Sequence, residues 1–160
     1  RSSKLTARNP GHTRASTNPG AVQLPTGVTD LSLMFISAST FNRPIGTWDT
    51  STVTNMTFMF YGNTAFNQDV SGWDTSAVTT MAAMFIYAPA FNGSLGGWDT
   101  SAVTNMSNLF FSASAFNQNI GLWDTSAVTT MQNMFFYASA FNQDVSGWCV
   151  TKIASTPSSF

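Results

Sequence analysis

The chain has 160 residues, of which 43% are hydrophobic and 8% are charged, and its formal net charge is −1. This hydrophobic content excludes a disordered chain, and no apolar run approaches the roughly 20 residues that span a bilayer. A single cysteine, Cys149, excludes an internal disulfide framework and a multi-cysteine metal site.

The N-terminal segment, residues 1–27, is rich in Pro, Gly, Ser and Thr and contains no acidic residue. Its basic residues all lie within the first 14 positions: Arg1, Lys4, Arg8 and Arg14. We predict a basic arm or N-terminal cap, too short and too poor in aromatic residues for nucleic-acid binding. The same composition is typical of the remnant of a transit sequence, which makes an organelle one candidate compartment. The lone histidine, His12, lies in this arm without a catalytic partner.

Residues 28–153 repeat with a period of 25. Five tryptophans follow this interval: Trp48, Trp73, Trp98, Trp123 and Trp148. A Phe-Asn pair follows it as well: Phe41-Asn42, Phe66-Asn67, Phe91-Asn92, Phe116-Asn117 and Phe141-Asn142. A fixed period in this range indicates stacked units, each contacting only its neighbours.

A short helix is predicted after each Asp-Thr-Ser sequence. In the first complete unit the apolar residues fall at i, i+3, i+6 and i+7: Val53, Met56, Met59 and Phe60. This spacing forms one apolar stripe of a helix, and the preceding side-chain oxygens of residues 49–51 would cap its first amides. All eight methionines occupy just two positions of the repeat, so we assign them to the core.

An extended segment is predicted before each tryptophan, as in Ile45–Trp48 and Val70–Trp73. Side-by-side stacking of such strands would separate successive coils by about 4.8 Å. The expected fold is therefore a right-handed α/β solenoid of about five 25-residue coils, each with one short strand and one short helix. Residues 154–160 form a C-terminal tail.

Two polar columns have competing interpretations. The first is Asp49, Asp74, Asp99 and Asp124. We favour capping of the predicted helices, where the helix dipole stabilises a carboxylate, over calcium binding. The second column is the Asn that follows each recurrent Phe, which we interpret as an internal ladder between coils rather than as a ligand site.

A further column directly follows the core Phe of each predicted helix: Tyr61, Ile86, Phe111 and Phe136, with Tyr87 and Tyr137 beside it. On a continued helix these side chains would point to solvent and mark a partner-binding surface. If each helix instead ends at the core Phe, they would turn inward. The sequence leaves both alternatives open.

The patterns M-F-x-x-A-x-x-F-N-Q and W-D-T-S-x-V-T-x-M closely resemble the 25-residue repeats of mycoplasma-type surface lipoproteins. Those repeats are related to the BspA-like leucine-rich repeats of surface antigens. The resemblance extends over residues 28–153, and one of its clearest instances joins Met134, Phe135, Ala138 and Phe141 to Gln143. It implies a leucine-rich-repeat-like solenoid at the cell surface or outside the cell, without enzymatic activity and used for adhesion or protein binding.

Three functions follow from these observations. The leading hypothesis is a non-enzymatic protein–protein interaction module, either an adhesin or a scaffold, because no nucleophile–base pair and no cofactor site can be named. The alternative is a structural subunit bound within a larger, possibly organellar, multi-protein assembly. A third option is a carbohydrate- or ice-binding array of stacked hydroxyls: Thr50, Thr75, Thr100 and Thr125.

Overall fold

A computed structural model describes residues 23–154, in which successive 25-residue coils stack on one another. Within this range the chain forms no helix, and its only β-structure is a row of isolated parallel bridges. The bridges join residues at the repeat interval: Asp30 to Asn55, Asn55 to Thr80, Thr80 to Asn105, and Asn105 to Thr130. The predicted α/β solenoid with one helix and one strand per coil is therefore wrong.

The segment predicted as a helix is a series of tight turns whose amides alternate between two kinds of acceptor. The N–H groups of Met56, Phe58 and Phe60 donate to carbonyls 24 residues later, in the next coil, at 2.9–3.1 Å. The N–H groups between them, such as those of Met59 and Tyr61, donate to carbonyls three residues earlier, each at 3.2 Å. Because half of the amides bond along the stack, the i to i−4 pattern of an α-helix cannot form.

Left-handed residues interrupt any helix twice in every coil. Phe58 and Gly62 have φ of 57° and 65° in the second coil, and the equivalent residues of the other coils share this conformation. These equivalents are Leu33, Ser37, Ala83, Tyr87, Asn108, Ser112, Asn133 and Tyr137. Since a left-handed non-Gly residue costs roughly 1–2 kcal/mol, the bonds between coils must compensate for this conformation.

The segment predicted as a strand is also a turn. The main-chain N–H of Trp73 donates to the carbonyl of Val70 at 3.1 Å, and the other four tryptophans make the same bond. The coils approach closely here, because a Cβ atom on Gly46 would lie 2.5 Å from the carbonyl oxygen of Asp69. Glycine at this position therefore permits the backbone contact between the first two coils.

The core consists of three columns of aromatic rings along the stack. The five indoles stack with centroids 6.0–6.5 Å apart and planes within 12° of parallel. Phe60 and Phe66 lie face to face at 4.0 Å, and each extends into a column of its own. Seven of the eight methionines are at most 1% exposed, and Met34 packs against this core, so their assignment to the core is confirmed.

Side-chain hydrogen bonds fix the register between coils. The Oδ1 atom of Asn67 accepts the main-chain N–H of Asn92, 25 residues later, at 2.9 Å. The bond recurs along the column at 2.9–3.1 Å and confirms the predicted Asn ladder. Each indole N–H from Trp73 onward donates to a carbonyl of the preceding coil, 28 residues earlier, at 2.9–3.1 Å.

The described range begins inside the predicted N-terminal arm and ends at the first residue of the predicted tail. Leu24 packs against the core, and Gly27 adopts a left-handed conformation with φ of 75°. Residues 1–22, which include the four basic residues and His12, and residues 155–160 lie outside the description.

Candidate functional site

Charged residues are confined to one half of every coil. The other half, 12 consecutive residues per coil, carries no ionisable side chain except tyrosine. We call this the charge-free half, and it comprises residues 31–42, 56–67, 81–92, 106–117 and 131–142. Because equivalent residues stack, these segments form one continuous surface without Asp, Lys or Arg.

The charge-free half exposes an aromatic stripe. Its most exposed members are Tyr137 at 68%, Tyr87 at 46% and Phe58 at 37%. The other predicted site residues are half-buried: Tyr61, Ile86, Phe111 and Phe136. The structure thus brings all six predicted residues together and adds Phe58. We define the aromatic stripe as these seven residues.

Contacts between neighbouring rings make the stripe continuous from the second to the fifth coil. Tyr61 meets Tyr87 edge to face at 5.8 Å, and Tyr87 meets Phe111 in the same way at 5.5 Å. Phe111 then contacts Phe136 at 5.1 Å and Tyr137 at 6.1 Å. These aromatic pairs contribute roughly 0.5–1.5 kcal/mol each, and they hold the exposed rings in fixed orientations.

The three most exposed rings of the stripe all stand on left-handed residues. Phe58, Tyr87 and Tyr137 have φ of 57°, 54° and 59°. Asn occupies the position of Phe58 in two other coils, and Ser or Gly occupies that of the tyrosines in three. Asn and Gly tolerate this conformation better, so these aromatic side chains are unfavourable for both backbone conformation and solvation. Folding of the coil does not require them.

The sequence prediction of the stripe missed Phe58 and left the orientation of the other side chains open. The apolar spacing predicts Phe58 inside a helix, in which the direction of each side chain follows from the regular rotation per residue. The left-handed conformation of Phe58 breaks this regularity and changes the direction of its side chain. The half-buried members lie between the two alternatives, neither fully outward nor fully inward. The positions of the charged residues within the 25-residue repeat are enough to define the charge-free half.

The Asp column closes turns instead of capping helices. Each carboxylate accepts the main-chain N–H of the serine two residues later, at 2.8–3.1 Å. Hydrogen bonds from the serine hydroxyl and then from its N–H hold the pKa of Asp49, Asp74, Asp99 and Asp124 below the usual value. Repulsion from neighbouring carboxylates raises the pKa of Asp49 and Asp99, but this effect is smaller.

Other chemistry is sparse in the described part of the chain. Among residues 23–154, no three His, Cys, Asp or Glu side chains form a group that could hold a metal ion. The Cys149 thiol contacts the hydroxyl of Thr151 at 3.3 Å, and this hydrogen bond lowers the pKa of the thiol.

The threonines considered for a carbohydrate- or ice-binding array are buried. Thr50, Thr75, Thr100 and Thr125 are each 1% exposed, and each hydroxyl donates to a carbonyl of the next coil at 2.9 Å. These hydroxyls cannot contact a ligand, because both their surface and their donor are used within the stack. That interpretation of this column is therefore wrong.

The fold and the site define a class of protein: a stack of 25-residue coils with an uncharged aromatic surface. The model of the family described as "Mycoplasma protein of unknown function, DUF285" matches residues 24–100 and 90–160, and the chain belongs to this family. No curated protein and no solved structure matches the chain. The described residues include no helix of the length and apolarity that crossing a membrane requires.

Proposed function

We propose that this chain is a non-enzymatic protein-binding module, an adhesin or a scaffold, whose aromatic stripe contacts the partner. The observation that carries the proposal is the exposure of Tyr87 and Tyr137 on unfavourable left-handed residues, inside a surface without charges. Aromatic residues are enriched and charged residues depleted at the centres of protein interfaces. Tyrosine is also among the residues that contribute most to binding energy.

The charge distribution supports the same surface. A partner that covers the charge-free half desolvates no carboxylate, because the aspartates lie elsewhere in each coil. Burying an unpaired charge costs several kcal/mol, so contact through the Asp-bearing half would be opposed. The ring contacts along the stripe also limit the entropy lost on binding, since the side chains are already ordered.

Comparative capture from extracts of the cells that express the chain tests the proposal. The immobilised wild type is compared with Tyr87→Ser/Tyr137→Ser and with Leu122→Ser, and bound proteins are quantified by mass spectrometry. Leu122 is 90% exposed but lies outside the charge-free half, so it controls for general stickiness. We expect a set of proteins that the stripe variant loses and the Leu122 variant retains. Identical captured sets for all three forms would contradict the proposal.

A structural subunit within a larger, possibly organellar, assembly is the second candidate. The extent of the charge-free half, five stacked segments, favours it because permanent interfaces are larger and more apolar than transient ones. The two roles differ in how readily the bound chain exchanges with free chain in solution. A subunit comigrates with its assembly after dilution and hours of incubation, whereas an adhesin or scaffold dissociates and re-equilibrates with added labelled chain.

A further inference from the structure

The repeat position that contributes Tyr87 and Tyr137 to the aromatic stripe holds Ser37 in the first coil and alternates between small and large residues in the four coils that follow. From the second coil to the fifth, this position holds Gly62, Tyr87, Ser112 and Tyr137. All four residues have positive φ, between 54° and 65°, so their side-chain directions are equivalent. Tyr87 and Tyr137 are exposed, whereas Gly62 and Ser112 are half-buried, so exposed large side chains alternate with small residues along these four coils.

This size pattern is complementary to its own reverse. Read backwards, small, large, small, large becomes large, small, large, small, so two copies in opposite directions place every tyrosine against a Gly or a Ser. A parallel alignment in register would instead set tyrosine against tyrosine. Isologous two-fold contacts, in which residue i meets j and j meets i, are the commonest way in which soluble proteins form dimers.

We propose that a second copy of this chain docks antiparallel on the aromatic stripe, about a two-fold axis between the third and fourth coils. Tyr87 then lies against the partner's Ser112, and Tyr137 lies against the partner's Gly62. The proposal rests on the proposed function, because it uses the same stripe, and it identifies the partner as the chain itself.

The spacing of the stripe agrees with this partner. The rings of Phe111 and Phe136, at equivalent positions of the fourth and fifth coils, have centroids 5.1 Å apart. A second copy has the same interval by construction, so contacts made at one coil recur in register at the next.

Among the faces of the coil, the charge-free half adds no direct repulsion between carboxylates to such a pairing. Residues 23–154 contain seven aspartates against Arg43 and Lys152, a net charge of −5. None of these charges lies in the charge-free half, so the antiparallel dimer keeps the two sets of carboxylates away from the interface. Association through any Asp-bearing face would bring carboxylates of the two copies close together, which is unfavourable.

Sedimentation velocity of the full chain over a range of concentrations measures the dimer. We expect a concentration-dependent dimer for the wild type and, for Tyr87→Ser/Tyr137→Ser, a dissociation constant at least about tenfold higher. Ser occupies the same position with φ of 55° and 56° in the first and fourth coils, so the variant should fold. Leu122→Ser should dimerise like the wild type. A wild type that remains monomeric at all concentrations overturns the proposal.

Ser112→Tyr separates specific pairing from general stickiness. The variant adds an exposed aromatic ring at a position where Tyr87 and Tyr137 show that the backbone accepts it. Non-specific association should therefore become stronger. In the antiparallel dimer, however, the new tyrosine would lie against Tyr87 of the other copy, so dimerisation should become weaker. The exchange variant Tyr87→Ser/Ser112→Tyr restores the complementarity, and we expect it to regain the dimer. Tighter association of Ser112→Tyr, or no recovery in the exchange variant, would refute the arrangement.

The result is independent of the test of the proposed function. If the stripe variant loses captured proteins and the wild type is monomeric, the proposed dimer is contradicted and the proposed binding function is supported. Dimerisation that fails in the stripe variant, without any other captured protein, supports the dimer alone. Near-ultraviolet circular dichroism of every variant confirms that the indole stack is retained.

Discussion

The indole N–H of Trp98 donates a hydrogen bond of 3.0 Å to the main-chain carbonyl of Val70 in the preceding coil. The same carbonyl accepts the main-chain N–H of Trp73 at 3.1 Å. The buried carbonyl oxygen of Val70 thus closes a turn within its own coil and also accepts a hydrogen bond from the next coil. The indole ring stacks on the rings of both neighbouring coils, so a single residue type provides both apolar burial and register.

Replacing Trp98 with Phe should lower the free energy of unfolding by about 2–4 kcal/mol. The change removes the donor to Val70 and leaves a cavity beside two stacked indoles. Urea denaturation followed by far-ultraviolet circular dichroism measures the effect. Trp148→Phe is the matched control in the last coil, where the indole is 8% exposed, and its cost should be smaller. Equal costs at both sites would contradict the idea that the central indoles bind two coils together.

Thr100→Val should destabilise the chain by about 1–2 kcal/mol. The two side chains have nearly the same shape, but Val lacks the hydroxyl that donates to the carbonyl of Asp124 at 2.9 Å from a site that is 1% exposed. Thr104→Val is the control, because the Thr104 hydroxyl also bonds to a neighbouring coil, through the carbonyl of Thr79 in the preceding one, but is exposed to water. We expect a cost below about 0.5 kcal/mol there. A larger loss at Thr104 than at Thr100, measured by denaturant titration, would disprove this account.

Asn63→Ala should stabilise the chain by about 1 kcal/mol. Asn63 is fully buried and stands where the other described coils have Ala, and its Nδ2 atom finds no hydrogen-bond partner among the described residues. Its Oδ1 atom accepts the N–H of Phe66 at 3.0 Å, replacing the main-chain carbonyl that accepts this bond in the other coils. Alanine restores that turn and removes an unpaired buried amide, whose penalty is roughly 1–3 kcal/mol.

The thermal midpoint of Asn63→Ala, compared with Ala88→Asn, tests this inference from both directions. Ala88 occupies the equivalent position in the next coil and is fully buried. Asn at this site should lower the midpoint, while Ala at residue 63 should raise it. A lower midpoint for Asn63→Ala would mean that the two bonds accepted by its Oδ1 atom, from the N–H groups of Ala65 at 3.2 Å and Phe66 at 3.0 Å, outweigh the unpaired amide.

The chain should lose stability as the pH falls below about 4. Hydrogen bonds from Ser101 hold the pKa of Asp99 below its usual value in the folded state, and the equivalent serines act on Asp49, Asp74 and Asp124. Because the unfolded chain then binds protons more readily, the stabilisation is complete above the unfolded-state pKa. It is lost as the pH falls through the folded-state pKa. Denaturation midpoints measured across this interval should fall steadily.

Ser101→Ala identifies the source of this pH dependence. Loss of the hydroxyl, the largest cause of the shift, should raise the pKa of Asp99 towards its usual value, as read from the NMR titration of its carboxyl carbon. Ser94→Ala, at an exposed serine outside the Asp column, should leave this pKa unchanged. The same titration curve for wild type and Ser101→Ala would rule out the serine as the cause.

The period of 25 predicted the stacked columns correctly, and the residues themselves show why. Trp73 and Trp98 lie one period apart and occupy equivalent sites with parallel rings at 6.0 Å. Phe66 and Phe91 behave in the same way at 5.9 Å. Repetition of a whole unit constrains every position in that unit at once, so the alignment of equivalent residues did not depend on knowing their secondary structure.

The helix and the strand were wrong because local spacing does not distinguish them from successive turns. Met56 and Met59 are three residues apart, a spacing that fits one face of a helix and the two ends of a four-residue β-turn equally well. Val70 and Trp73 stand in the same relation, although they were assigned to a strand. In the first segment the amides of Met56, Phe58 and Phe60 bond to the coil 24 residues away, and no local propensity reports such partners.

The candidate site was predicted in part for the same reason. Position in the repeat grouped Tyr87 with Phe111 and Tyr137, and the structure places their rings in contact. The exposure of Tyr87 and Tyr137 could not be read from the sequence, because it depends on their left-handed backbone conformation.

The amino-acid sequence by itself determined that equivalent residues would lie over one another, since the same side chains at a constant interval must share one environment. Only the tertiary structure decided the path of the backbone within each coil. Hydrogen bonds from Met56, Phe58 and Phe60 to the following coil exist only once two coils have met, and they stabilise left-handed residues that an isolated segment would avoid.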